Sequence, residues 1–137
     1  PQARHLIWQR VRALKEQGTT ILLTTHYMEE ASNLCDRVVL MDRGKILLEG
    51  EPGALVNAEV GREVLEVWHH DDAVVAFVDA AAWPHEVHDE RLYVYLPDGS
   101  DGGRRFGDAF PHQEHLLRRA TLEDVFLRRA GRVLKEN

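Results

Sequence analysis

The chain has 137 residues, 44% hydrophobic and 29% charged, and 17 Lys+Arg against 23 Asp+Glu give a net charge of −6. Such a composition folds and buries a core without cross-links; Cys35 is the single cysteine, which precludes an internal disulfide and fits a reducing compartment. No apolar run approaches the roughly 20 residues of a membrane span, no apolar signal segment follows Pro1-Gln2-Ala3-Arg4-His5, and no basic stripe supplies the phosphate neutralisation that nucleic-acid binding needs, so nucleic acid is excluded as a partner.

Ala3 to Gln17 is predicted as an amphipathic helix from Ile7, Val11 and Leu14, with Pro1 suited to its first turn and Gly18 as a left-handed cap. Thr19 to Thr24 is apolar and β-branched, the pattern of a strand buried on both faces of a parallel sheet. Tyr27 to Leu34 follows as a short helix capped by Thr25 or His26. Asp36 to Met41 and Lys45 to Glu49 form a hairpin about Asp42-Arg43-Gly44, and Pro52-Gly53 starts a helical turn ending near Asn57.

The charge divides the chain. Residues 1–57 hold seven basic and seven acidic side chains, so residues 58–137 carry the whole net charge and six of the eight histidines. We therefore expect two units, 1–57 and 58–137, the second a small α+β module. In it Glu63 to Trp68 alternates as a half-buried strand, and Asp71 to Ala82 is compatible with helix. Glu86-Val87 and Arg91 to Leu96 form a hairpin closed by His88-Asp89-Glu90. Pro97 to Gly103 is a loop by composition, Phe106 to Phe110 fits helix or strand, and His115 to Arg119 is a last strand. Thr121 to Arg129 is a helix opened by a Thr-x-x-Asp capping box, Thr121 and Asp124.

His26 stands between a predicted strand end and a helix start, the place where ligands bind in open α/β sheets. Position alone is weak evidence; its surroundings are more specific. Thr24-Thr25-His26-Tyr27-Met28-Glu29-Glu30-Ala31 closely resembles the switch-loop (H-loop) string of ABC transporter ATPases, and Pro1-Gln2-Ala3-Arg4 resembles the residues after the D-loop aspartate. Arg4-His5-Leu6-Ile7-Trp8 and Ala120-Thr121-Leu122-Glu123-Asp124-Val125-Phe126-Leu127 resemble the exporter subgroup of drug-resistance and nodulation-factor ATPases. The resemblance is specific from Pro1 to about Asn57, good at residues 120–127 and thin across residues 60–115.

The resemblance implies an α/β fold: part of a P-loop NTPase (ABC ATPase) domain at 1–57, then a small α+β regulatory or dimerisation module at 58–137. It makes His26 both the catalytic and the nucleotide-binding residue, donating a hydrogen bond to the γ-phosphate of ATP and positioning rather than acting as general base. It further implies ATP and Mg2+ in the parent protein, a membrane permease and a second nucleotide-binding domain as partners, and a cytoplasmic location peripheral to the inner membrane.

Departures from the family pattern limit what this chain does alone. It has no GxxxxGK[ST] phosphate cradle and no LSGGQ segment, and no Q-loop is placed. Val38-Val39-Leu40-Met41-Asp42 imitates a Walker B strand, but it follows the H-loop and Arg43 stands where the catalytic Glu belongs. The chain alone is therefore expected to be inactive and to bind no cofactor, and the alternative function is that of a non-catalytic module acting through residues 58–137. An exposed edge at Thr19 to Thr24 predicts a homo-oligomer. His69-His70, His85/His88 and His112/His115 are weighed as Zn2+ or Ni2+ ligands. A spacing of three puts His85 and His88 on opposite strand faces and no cysteine lies near, so they are read as exposed polar residues and no metal is assigned. Trp8, Trp68 and Trp83 are expected to anchor cores or interfaces, and Arg118-Arg119 and Arg128-Arg129 to be solvated ends.

Overall fold

A computed structural model describes residues 2–131. Helix α1 (Gln2–Glu16) buries a single side chain, Trp8, and ends where Gly18 takes φ +88°, a conformation that favours glycine. The expected role of Pro1 falls outside the described residues. Residues 19–27 form no strand, contrary to the sequence reading, and Leu22 is 95% exposed. The cause is physical: a strand covered on both faces needs neighbours to take its backbone hydrogen bonds, and none of the strands among the described residues pairs with this segment. Helix α2 (Met28–Leu34) follows with Tyr27 at its N-cap position, so neither Thr25 nor His26 is the cap.

Strands β1 (Val38–Asp42) and β2 (Lys45–Gly50) pair antiparallel, Asp42 opposite Lys45, with a bulge between Leu40 and Met41. Arg43 and Gly44 both take positive φ (51° and 76°), as a two-residue turn matched to strand twist requires. Helix α3 (Pro52–Glu59) begins with Pro52 in its first turn, and the Glu51 carboxylate accepts from Gly53 N–H and Ala54 N–H at 3.0 and 2.8 Å.

The remaining strands are β3 (Glu63–Val67), β4 (His85–His88), β5 (Arg91–Leu96) and β6 (His115–Arg119), with helices α4 (Asp72–Ala80), α5 (Gly102–Ala109) and α6 (Leu122–Ala130). The four strands form one antiparallel sheet in the order β4-β5-β3-β6. Residues 63–119 thus have the β-α-β-β-α-β topology of a ferredoxin-like split sheet. Asp89 and Glu90, at φ 51° and 64°, close the β4–β5 hairpin.

Two sequence expectations change here. Strand β3 is buried on both faces, not one, because it is central: Leu65 and Val67 pack with Val74, Val78 and Phe106 on the α4/α5 side, while Val64 joins Tyr95, Leu122, Val125 and Phe126 on the other. The Gly-rich stretch expected as loop through Gly103 starts α5. A Cβ at Gly102 would come within 2.7 Å of Leu96 Cδ2, and one at Gly103 within 2.6 Å of Leu117 Cδ2, so these glycines let the helix lie against the sheet. The expected division after residue 57 falls within α3, and the core containing Val64 also takes Met28, Val38, Leu40 and Leu55 from the first part of the chain.

One ionic cluster ties sheet to helix. Arg118 of β6 donates from Nε to Glu66 Oε1 (2.7 Å) and from both terminal nitrogens to Asp124 (2.8 Å each). Asp124 Oδ2 also accepts from Thr121 N–H (2.8 Å) and its hydroxyl (3.1 Å), forming the predicted cap. Asp124 is 2% exposed and Glu66 9%. Burial opposes the Arg118 charge, but hydrogen bonds and charge from Asp124 and Glu66 outweigh it and push the guanidinium pKa up. At the far end of α6, Arg129 forks onto the Glu59 carboxylate (2.7 and 2.8 Å), and Arg128 donates to Glu59 O at 2.7 Å.

Asp124→Ala removes the helix cap and half the compensation of a partly buried guanidinium, so it should cost about 3 kcal/mol, read as a lower urea midpoint at unchanged slope. The Arg129 hydrogen bond, ahead of the charges of Arg129 and Arg128, lowers the Glu59 pKa from its usual 4.5, against a smaller opposing effect of burial. The linked stability is then present above pH 4.5 and lost as pH falls through the lower folded value. The midpoint difference between wild type and Glu59→Gln should accordingly shrink on acidification below pH 4.5 and stay constant near neutrality.

Candidate functional site

His26 sits exposed in the turn that leads into α2. Thr25 Oγ1 accepts from Tyr27 N–H at 2.9 Å, closing a three-residue loop with His26 at its apex. The Tyr27 hydroxyl donates to Glu29 Oε2 at 2.8 Å, and the Arg4 guanidinium carbon lies 4.0 Å from the centre of the Tyr27 ring. One turn further along α1, Trp8 Nε1 donates to Glu30 Oε2 at 2.9 Å; Lys15 Nζ donates to Leu34 O at 2.8 Å and meets Asp36 at 3.0 Å. Arg4, Trp8 and Lys15 thus hold α2 from its N-cap, Tyr27, to its last residue, Leu34, with contacts in the same order along both helices. The arrangement presents an imidazole to solvent on a braced backbone, able to donate to or accept from a ligand oxygen. Glu29 and Glu30 in the first turn of α2 interact favourably with the helix dipole.

The other sequence candidates lie elsewhere. Val38–Asp42 is one arm of the β1–β2 hairpin, not a strand leading into a nucleotide site. The histidine pairs do not converge. His85 Nδ1 lies 2.9 Å from Trp83 O and its Nε2 3.4 Å from Asp79; His88 pairs with Glu86 at 3.3 Å. His115 Nδ1 lies 2.7 Å from Gln113 O with its ring edge-on to Phe106, His69 stands 4.0 Å from Glu114, and His70 Nδ1 is buried without a partner. Among the described residues no group of three or more His, Cys, Asp or Glu side chains is placed to hold a metal ion. Trp8 and Trp83 are buried, while Trp68 is half-buried beneath the Arg91 guanidinium.

A groove of about 850 Å³ lies between α2, α3 and the start of α6, lined by Met28, Ser32, Cys35, Val56 and Leu122 among others; His26 is not in it. Burial pushes the Cys35 thiol pKa up, against a smaller opposing effect of Lys15, so at neutral pH it is protonated and a weak nucleophile.

Sequence reasoning missed two arginine roles. Arg118 is not a solvated end but the centre of the Glu66–Asp124 cluster, and Arg128 and Arg129 are tied to Glu59 of the same chain. The usable signals were a glutamate inside the apolar Glu63–Val67 strand and the capping aspartate, two carboxylates that burial obliges to find a cation.

The α1–α2 pair, the His26 turn and the Thr121–Asp124 cap hold the residues that resemble ABC ATPase motifs. No family model matches the chain. Direct comparison does: the chain is homologous to part of the ATP-binding subunits of ABC exporters. In particular it is 44% identical over 137 residues to the Nod factor export ATP-binding protein I of Mesorhizobium japonicum, 42% to that of Burkholderia orbicola and 40% to that of Rhizobium leguminosarum bv. viciae. Each match takes in 99% of this chain, so it includes residues 60–115, where the motif resemblance is thin. The chain spans only 40%, 45% and 44% of those relatives, less than half their length.

Proposed function

We propose that this chain is the H-loop part of an exporter ATP-binding subunit, whose parent couples ATP hydrolysis to export of a substrate through a membrane permease. In this reading His26 donates a hydrogen bond to the γ-phosphate and positions the attacking water, while other parts of the parent hold Mg2+ and the phosphates. The observation that carries it is the exposed His26, braced on both flanks, in a chain 44% identical over 137 residues to a Nod factor export ATP-binding protein. No helix among the described residues is long and apolar enough to cross a membrane. That fits a subunit acting on the cytoplasmic side, peripheral to the inner membrane through its permease and paired with a second nucleotide-binding domain.

Residues 58–137 carry the second reading, a non-catalytic regulatory or dimerisation module. It is favoured by the split βαββαβ sheet with a separate core of Leu65, Val74, Leu92 and Phe106. The two readings coexist in a parent and part company for the chain alone, which has no phosphate-binding loop.

The test is a chimaera in which this chain replaces the matching part of the Mesorhizobium japonicum relative. It should hydrolyse ATP, and His26→Ala should lower its kcat about 100-fold, the usual cost of losing one donor to developing charge. Turnover unaffected by His26→Ala would remove the H-loop assignment. The isolated chain, with Leu22 exposed in an unpaired segment and Leu6 and Ile7 exposed on α1, should self-associate. Sedimentation at tens of micromolar should show a dimer or larger species, and a stable monomer would refute this.

A further inference from the structure

We propose that Arg4 is a positioning residue for His26, acting through the ring of Tyr27. The inference rests on the reading of His26 as the phosphate-contacting residue. It comes from the way the His26 turn is held. Residues 19–27 have no ladder hydrogen bonds among the described residues, so side chains must fix that backbone. On the Thr25 side the tie is local, from Thr25 Oγ1 to Tyr27 N–H at 2.9 Å. On the Tyr27 side it is long-range: the Arg4 guanidinium, 4.0 Å from the ring centre, covers one face of the ring, and the hydroxyl is held by Glu29 at 2.8 Å.

Arg4, Trp8 and Lys15 recur at spacings of four and seven, which places them on one face of α1. Trp8–Glu30 and Lys15–Leu34 dock the two helices whatever happens at Tyr27. Arg4 is the outermost of the three and the one that reaches the residue adjacent to His26. Its loss should leave α1 docked while uncovering one face of the Tyr27 ring, still tethered to Glu29 by its hydroxyl, and so loosen the direction of the imidazole. A stacked guanidinium differs from an ammonium in its planarity, so Lys should replace it only in part.

Two measurements test this. In the 137-residue chain, the His26 ring carbon and proton resonances should move in Arg4→Ala and Tyr27→Ala and stay near wild type in Tyr27→Phe, which keeps the ring beneath the guanidinium. In the chimaera, Arg4→Ala should lower kcat about 10-fold with KM for ATP within about twofold, the signature of a misplaced group. Arg4→Lys should fall between, and Arg4→Ala with Tyr27→Ala should be no worse than either alone. If His26→Ala abolishes turnover while Arg4→Ala leaves kcat untouched, the positioning role is overturned and the H-loop assignment stands. If His26→Ala has no effect, or the chimaera is inactive, the resonances decide alone: unmoved signals in Arg4→Ala overturn the proposal, and shifted signals uphold the coupling of Arg4 to His26.

Discussion

A single guanidinium joins the layers of this molecule. Arg118 leaves the edge strand β6, meets Glu66 on the central strand β3 and closes on Asp124, which in turn caps α6. Charges removed from water are tolerated only when their hydrogen-bonding capacity is met, and here three elements must be in register to meet it. With α6 fixed, Leu122, Val125 and Phe126 lie over the sheet and against residues from α2, β1 and α3. The place of His26 therefore depends, through α2, on Glu66, Arg118 and Asp124, all far along the chain.

The brace around His26 is of a different kind. It is a set of partly exposed side-chain contacts between two helices, with little apolar burial: Trp8 is the one buried residue of α1. Such contacts fix direction more than they add stability, which suits the phosphate-contacting role proposed for His26. The histidines of the second sheet stand apart from it, whereas the groove beside α2 borders it, since Glu29, which holds the Tyr27 hydroxyl, also lines the groove.

Features governed by neighbours along the chain are legible in the amino-acid sequence alone. The Gly18 cap, the positions of the two hairpins though not the length of their turns, Pro52 at a helix start, the Thr121–Asp124 box and the span of β6 all follow from local backbone chemistry. The features that are not legible depend on distant partners. Thr19 to Thr24 reads as a buried strand, yet burial requires other strands beside it. Alternation in Glu63–Val67 reads as one wet face, but the wet-looking Glu66 lies under α6 because Arg118 satisfies it. Gly102 and Gly103 read as loop because composition does not reveal that a sheet lies within methyl distance. His26 is identifiable by motif, whereas Arg4 and Tyr27, 23 positions apart, share no local signal.

The two cores differ in how far apart in the chain their members lie. The buried members of the α4/α5 core lie within residues 65–106, with Phe110 packed against them, whereas those of the other run from Met28 to Leu127. During synthesis from the N-terminus, the first can close while the chain is still growing. The second must wait for α6, so Met28, Leu40 and Leu55 remain without their final apolar neighbours until nearly all the described residues have emerged. Residues 28–55 are thus made before the α4/α5 core and covered after it, and in that interval their apolar side chains lack their final partners.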